Sequence, residues 1–582
     1  MSMLICNATI SFARTAACKR TAMSLALTLA LGTVAAVQAQ QVPTIGDVVR
    51  QIQPVTPPVT PPPSLPALGG VPAAPALQAL PGDATSKVRV TQFVLEGNRV
   101  VDSAALLALL QPALGQTLTL VQLEELATRI TRHYRSNGYF VARAYVPAQE
   151  LTDGKLIIRV VEGHYGKFIL SNTSRVQDSV VQGLLDEAKQ RDNIVSLDSL
   201  ERAMLIINDT PGVKVVQADV MPGEQVGTSD FAIRTQATPA WGAYVLLDNY
   251  GSTYTGKQRL RFNADWNSPS GRGDRLSASG MVTRNSGLLN GRLAYSMLLG
   301  SDGTRLEGAL SRTTYELSDV YAALDASGTS NGVDLFLSKP LKRTREHTVE
   351  ASLGVVYKDL KDEIGVTHTS VGKQLSSLSA NISDRRTHAF LGFDGLTQSS
   401  TSLTVGRLRF KEAVAEAMDA AGADTQGNYA KLSLAASRIS ALPSQFLLTT
   451  SVRAQASLNN KSLDGVERMS VSGDGGVAAY PIGELSGDHA ALLRAELARP
   501  LARGGTAQLS GSIFTDYGWA KSIAAPAGVP ASRKLGDIGL GLSAMAGGVL
   551  LNLQLVHRTV GGVPTSESAS RTRLLFQAGW VR

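Results

Sequence analysis

Residues 231–582 repeat a pattern that few folds accommodate. Leu260, Phe262, Ala264 and Trp266 alternate with Arg259, Arg261, Asn263 and Asp265. Period-two alternation marks a strand with one apolar and one polar face. Leu493, Ala495 and Leu497 alternate with Arg494 and Glu496 in the same way. So do Leu551, Leu553 and Leu555 with Asn552 and Gln554, and Ile538, Leu540 and Leu542 with Gly539, Gly541 and Ser543. A soluble sandwich also alternates, but its core needs many large side chains, and here only 5% of residues are aromatic while glycines number 55. The other fold with this pattern is a membrane barrel, apolar side to lipid and polar side to a wet lumen. An arginine facing lipid at the midplane costs about 2–4 kcal/mol. In a barrel, Arg259 and Arg261 therefore point inward. Alternation alone leaves barrel, sandwich and β-solenoid open.

The 582 residues suffice for several domains. Beyond the first 40 residues, no apolar run reaches the ~18–20 needed for a spanning helix. The net charge is +8, without clustered Lys and Arg interleaved with aromatics, so no nucleic-acid partner is expected. Arg14, Lys19 and Arg20 precede an apolar stretch, 22–37, and a small-residue site, Val37-Gln38-Ala39. This predicts a signal peptide over 1–39. Both cysteines, Cys6 and Cys18, fall inside it. The mature chain then has no disulfide, no cysteine-bound zinc and no thiol catalysis. No phosphate-binding loop, His-Glu-x-x-His helix or nucleophile elbow is present. The reading is of a non-enzyme, with no catalytic residues, metal ligands or cofactor. Arg272-Gly273-Asp274 reads as a polar turn between two strands, not as an adhesion tripeptide.

In the mature chain, Ile45, Val48, Val49 and Ile52 share one helical face. Residues 40–53 are thus a short helix that must dock into something to persist. Eleven of the 24 prolines lie between 43 and 81, so 54–87 is an extended Pro-rich linker. Residues 88–163 form one compact unit. A strand at 88–96 leads to a helix from Asp102 to Leu114. A second helix carries Leu120, Leu123, Ala127, Ile130 and Tyr134 on one face. Strands at 139–146 and 155–161 follow. Residues 164–228 repeat the β-α-α-β plan, with a strand at 168–171, helices at 177–189 and 199–207, and a strand at 213–220. Two α+β modules therefore precede the alternating region.

At this point the chain resembles the transporters of two-partner secretion, the TpsB or haemolysin-activator type (ShlB/FhaC/HecB) of outer-membrane protein. The first module carries Tyr134-Arg135-Ser136-Asn137-Gly138-Tyr139, Val146-Pro147-Ala148-Gln149, Asp153-Gly154 and Val161-Glu162-Gly163, similar to the family's first POTRA domain. Leu200-Glu201-Arg202-Ala203 with Pro211-Gly212-Val213 resembles the second. Asp248-Asn249-Tyr250-Gly251, Thr255-Gly256 and Gly273-Asp274 resemble the barrel's first hairpin. The resemblance implies two tandem POTRA domains followed by a sixteen-stranded antiparallel transmembrane β-barrel over 231–582.

The family folds a long extracellular loop, here about 458–488, into the lumen. Its arginine reaches an aspartate in a Phe-x-Asp-x-Gly strand on the wall. The wall motif is intact as Phe514, Asp516 and Gly518, which by alternation face the lumen. The loop reads Val477-Ala478-Ala479-Tyr480-Pro481, with Ala478 where the family has arginine. Some other cation should then face Asp516. If residue numbers across the hairpin sum to about 1008, Arg494 lies opposite Phe514 and diagonal to Asp516. Arg494 is the first candidate and Arg468, in the loop, the second. With Arg494, the loop is held by packing of Tyr480 and Pro481 alone. The last strand carries Leu574, Phe576, Ala578 and Trp580 in phase, a slightly displaced assembly signal.

The implied function is a pore that recognises and exports a large haemolysin- or adhesin-type exoprotein without nucleotide hydrolysis. The exoprotein's extended N-terminal secretion region would meet the POTRA pair in the periplasm. The resemblance places the pore in the outer membrane of a Gram-negative bacterium, as a monomer in contact with outer-membrane lipid. A barrel-assembly insertase and a passive diffusion porin are the alternatives.

Overall fold

The computed structural model describes residues 42–52, 65–70, 87–150, 153–505, 507–526 and 528–582. The expected signal peptide and most of the expected linker lie outside the described residues.

Among the described residues, sixteen antiparallel strands close into a barrel, from Trp241–Asp248 to Thr572–Val581. The first and last strands pair from Tyr244↔Val581 to Asp248↔Gln577, so the sheet has no free edge. Closure satisfies the backbone donors and acceptors that lipid cannot. The alternation at 260–266 resolves as a barrel: Leu260, Phe262 and Trp266 face outward, whereas Arg259 is 2% exposed. Turns and loops alternate between the two rims. Arg272-Gly273-Asp274 is a turn; buried Asp274 accepts hydrogen bonds from the Ser270 and Arg272 amides and from the Tyr295 hydroxyl.

The first module folds around the amphipathic helix Leu120–Ser136, whose Leu123, Ala127, Ile130 and Tyr134 are buried against a three-stranded sheet. The helix begins at Thr119, whose amide donates to the Gln122 side chain while its hydroxyl accepts from the Gln122 amide, a reciprocal cap. The expected strand at 139–146 shortens to Arg143–Tyr145. Gly138 adopts φ +89° and turns the chain through Tyr139 first.

The second module corrects two expected boundaries. Thr228–Ala237 is its own strand, lying between Val213–Pro222 and His164–Thr173. The barrel therefore begins at Trp241, not 231, and the module extends past 228 to Ala237. Phe231, Ile233 and Thr235 alternate inward as barrel residues would, so period two cannot say which sheet a strand joins. The extended linker is also interrupted. Leu65 packs into the second module's core, and Leu68–Gly69 pairs in parallel with Ala218 and Asp219. A sheet edge offers unpaired donors and acceptors, and this segment takes them.

This strand order carries a prediction. A fragment of residues 83–222 lacks the strand that joins the sheet and is expected to aggregate. Residues 83–238 are expected to be soluble and to unfold cooperatively by circular dichroism. Equal solubility of the two fragments would show that Thr228–Ala237 is dispensable to the module.

The second module sits on one rim of the barrel. The Arg343 guanidinium donates to both carboxylate oxygens of Asp209 at 2.7 and 2.8 Å. Arg345 Nε donates to Glu201 at 2.7 Å, and the Gln177 amide to the Gly271 carbonyl at 2.8 Å.

Candidate functional site

The segment between Leu447–Leu458 and His489–Gly504 folds inward and packs on the wall. Val471, Val477 and Tyr480 meet Ala490, Leu492, Ala520 and Leu535. Ala478 and Ala479 meet Phe514, Val556 and Leu575. Pro481 is buried beside them.

Each position of the wall motif has a visible reason. A Cβ at Gly518 would stand 3.0 Å from Val471 and 3.1 Å from Val477, so glycine is what lets the loop approach. The Phe514 ring lies over Gly539, where a Cβ would meet it at 2.3 Å. Asp516 points inward with its side chain 1% exposed.

Arg494, not a loop residue, supplies the cation for Asp516. Its Nη1 donates to Oδ2 at 3.1 Å, and its guanidinium lies 4.3 Å from the Phe514 ring centre. The register differs from expectation. Arg494 is directly opposite Asp516, and Glu496 is opposite Phe514. The hairpin turns after Gly504, with Gly504 opposite Ala507, and a bulge falls between Pro500 and Ala502. These two features set the pairing two residues from the expected sum. Arg468 stays within the loop: its Nε donates to the Leu463 carbonyl at 3.0 Å and pairs with Asp488 at 3.2 Å.

The loop is not held by packing alone, and this corrects the expectation. Asp537, the cross-strand neighbour of Asp516, accepts from the Ala479 amide at 2.8 Å. Its other oxygen accepts from the Asp516 amide at 3.2 Å. Arg573 Nη1 donates to the Ala478 carbonyl at 3.3 Å. The Tyr480 hydroxyl donates to the carbonyls of Val560 and Gly562 at 2.7 and 2.9 Å. Asp474 of the loop pairs with Arg259 at 2.7 Å, and Arg259 and Arg261 share Asp248 at 2.7 and 2.9 Å. The loop thus uses backbone groups and an aspartate where an arginine side chain is absent. Asp537 carried no motif, and its meeting with Asp516 depends on pairing across a long connection. A cavity of about 110 Å³ remains between Ala478, Asp474, Arg494, Tyr250 and Arg573.

The POTRA motif residues organise the first module and its junction. Glu162 is buried and accepts from the Arg99 and Val100 amides at 2.6 and 2.9 Å and from the Tyr134 hydroxyl at 2.8 Å. Burial and then this carboxylate push the Tyr134 pKa up, so the hydroxyl stays a donor. Gln149 accepts from the Ile157 amide at 2.9 Å and donates to its carbonyl at 2.8 Å, while also reaching the Pro147 carbonyl. The Gly138 carbonyl accepts from the Leu197 amide at 2.9 Å, joining the two modules. Tyr139 packs edge-on against Tyr134, and Gly163 takes φ +86° where the chain enters the second module.

The N-terminal helix spans Ile45–Val49, shorter than 40–53, with Ile52 beyond its end. Thr44 and Asp47 cap it reciprocally. Ile45 and Val48 are fully buried. The Ile45 amide donates to Asp362 at 2.6 Å, and Gln51 donates to the Tyr254 hydroxyl at 3.2 Å. Gly46 lies against the inward loop, where a Cβ would stand 2.7 Å from the Val466 nitrogen.

A sixteen-stranded barrel with one α+β module on its rim, a second joined to that module, and a loop folded into its lumen defines a gated pore of the outer membrane. The chain belongs to the family described as haemolysin secretion/activation protein ShlB/FhaC/HecB, which matches residues 227–544. The ShlB-type POTRA domain matches residues 88–163. The chain is 27% identical over 473 residues to the heme/hemopexin transporter protein HuxB of Haemophilus influenzae, covering 80% of this chain and 83% of that protein. It is 26% identical to the outer membrane transporter CdiB of Escherichia coli, covering 70% and 68%. The solved structure of CdiB from Escherichia coli shares the fold at a TM-score of 0.71 and 21% identity, over 88% of this chain and 94% of that one. The protein is an outer-membrane pore of two-partner secretion with its POTRA modules in the periplasm. The inward loop accordingly enters from the extracellular rim.

Proposed function

We propose that this pore exports one large secreted polypeptide, of the haemolysin, adhesin or haem-binding kind, and rests closed until that polypeptide engages the periplasmic modules. The observation that carries this reading is the helix Ile45–Val49, buried in the lumen beside the inward loop. A helix of five residues has no stability of its own in water, so its place depends on the barrel. A diffusion porin would have no use for such an obstruction. The POTRA sheets offer strand edges, and extended polypeptide pairs with a strand edge through backbone groups without reading every side chain. Export by this route requires no nucleotide and no catalytic residue, and a monomer in outer-membrane lipid suffices.

Deleting residues 40–54 is expected to raise single-pore conductance in planar bilayers severalfold. Unchanged conductance would reduce the segment to a spacer. Secretion provides the second readout. Deleting 88–163 is expected to abolish release of the exoprotein while leaving the barrel folded. Insertion of other barrel proteins into liposomes by the intact chain would instead favour an assembly role.

A further inference from the structure

The most fully satisfied charge on the inward loop lies beyond its tip. Glu484 has a side chain with no exposed surface. Its carboxylate accepts from the Thr565 amide at 2.9 and 3.0 Å and from the Ser566 amide at 2.8 Å. The Ser566 and Thr565 hydroxyls donate to it at 2.6 and 3.2 Å. Arg533 adds an ion pair and also donates to the Gly561 and Val563 carbonyls at 3.1 Å. Thr565 and Ser566 belong to the last extracellular loop, between Val549–Val560 and Thr572–Val581. Backbone and hydroxyl donors thus converge on one carboxylate, and each such bond to a charged acceptor is stronger than a neutral one.

The same loop continues the connection around the outer rim. Glu567 accepts from the Thr253 amide at 2.6 Å in the first extracellular loop. The neighbouring Tyr254 hydroxyl accepts from Gln51, just past the N-terminal helix. That helix in turn lies against Val466 of the inward loop. Inward loop, last loop, first loop and helix thus form a closed circuit of contacts. Glu484 is the charged link on the inward loop itself, and no motif or resemblance singled this residue out for a role.

We propose that Glu484 is the latch that holds the inward loop to the last extracellular loop, so that the outer loops must part before the inward loop leaves the lumen. It is a positioning residue, which acts through Thr565, Ser566 and Arg533. Its loss removes the acceptor that the Thr565 and Ser566 amides share and leaves Arg533 only its bonds within the wall and the last loop, which weakens the closed arrangement more than the open one, where water reaches those groups.

The test uses the full-length pore. An Ala478→Cys reporter is buried in the closed state, since Ala478 is 7% exposed. Adding Glu484→Gln is expected to raise its labelling by a membrane-impermeant maleimide on intact cells about tenfold, the factor for losing one charge-assisted hydrogen bond. A Glu484→Cys/Ser566→Cys pair supplies a reversible version in planar bilayers. The oxidised pore is expected to open less often than wild type, and the reduced pore more often. A merely structural residue would lower the yield of folded barrel without responding to reductant. Labelling at the parent rate in Glu484→Gln, or equal opening of the cross-linked and reduced pores, overturns the latch. Neither readout needs an exported chain, so the result is separable from the export reading.

Discussion

Replacing Arg494 with leucine is expected to destabilise the folded barrel by about 3 kcal/mol, the order of cost for stranding a buried carboxylate. Asp516 is nearly inaccessible and has Arg494 at 3.1 Å. Asp537 faces Asp516 across the next strand pair, and Glu496 lies 3.2 Å from the same guanidinium. Without Arg494, three carboxylates share one stretch of wall. The double variant Arg494→Leu/Asp516→Asn is expected to recover most of the loss, because the charge that needed a partner is gone. Adding Ala478→Arg to Arg494→Leu is also expected to recover part of it, since Ala478 and Arg494 line the same cavity. The measurement is the urea midpoint of the detergent-folded barrel, followed by its heat-modifiable gel mobility. A wild-type midpoint for Arg494→Leu would falsify the ion-pair account.

An Asp248→Ala barrel is expected to lose about 3–5 kcal/mol and, in addition, to loosen its loop. Asp248 is fully buried and holds Arg259 at 2.7 Å through one oxygen and Arg261 at 2.9 Å through the other. Asp474 of the inward loop reaches the same two arginines at 2.7 and 3.6 Å. Removing Asp248 leaves two inward cations to one loop carboxylate, so the strand pair and the loop lose a shared anchor. Two readouts follow: a lower urea midpoint, and faster maleimide labelling of an Ala478→Cys reporter. Asp248→Asn retains the shape and one acceptor and is expected to fall between wild type and alanine. If Asp248→Ala weakens the barrel without changing the labelling, Asp474 holds the loop unaided.

The loop keeps its seat with Ala478 at the position where the resemblance places an arginine. The wall supplies the cation through Arg494, and the loop supplies a backbone amide, Ala479, to Asp537. A contact made through a backbone amide does not depend on which side chain the loop carries. Positions 478 and 479 are therefore open to small residues, and Gly518 sets how close the loop can come.

The alternation of Leu260 to Trp266 and the inward face of Phe514, Asp516 and Gly518 were legible in the amino-acid sequence alone, because side-chain period is a local property of extended chain. The amphipathic helix Leu120–Ser136 was legible for the same reason. Ranking Arg494 above Arg468 was also possible, since a hairpin brings nearby residues together whatever the rest of the chain does. Its register was not, because the turn at Gly504 and the bulge between Pro500 and Ala502 displace the pairing by amounts that local pattern does not encode. The strand Thr228–Ala237 has the same period two as a barrel strand, and only its pairing with Val213–Pro222 and His164–Thr173 assigns it to the second module. Asp537, Glu484 and the docking of Leu65 depend on partners brought near by long connections, 58 residues apart for Ala479 and Asp537 and 81 for Glu484 and Thr565. Period and propensity act within a few residues; which distant donor meets which carboxylate is decided when the barrel closes and the loop fills it.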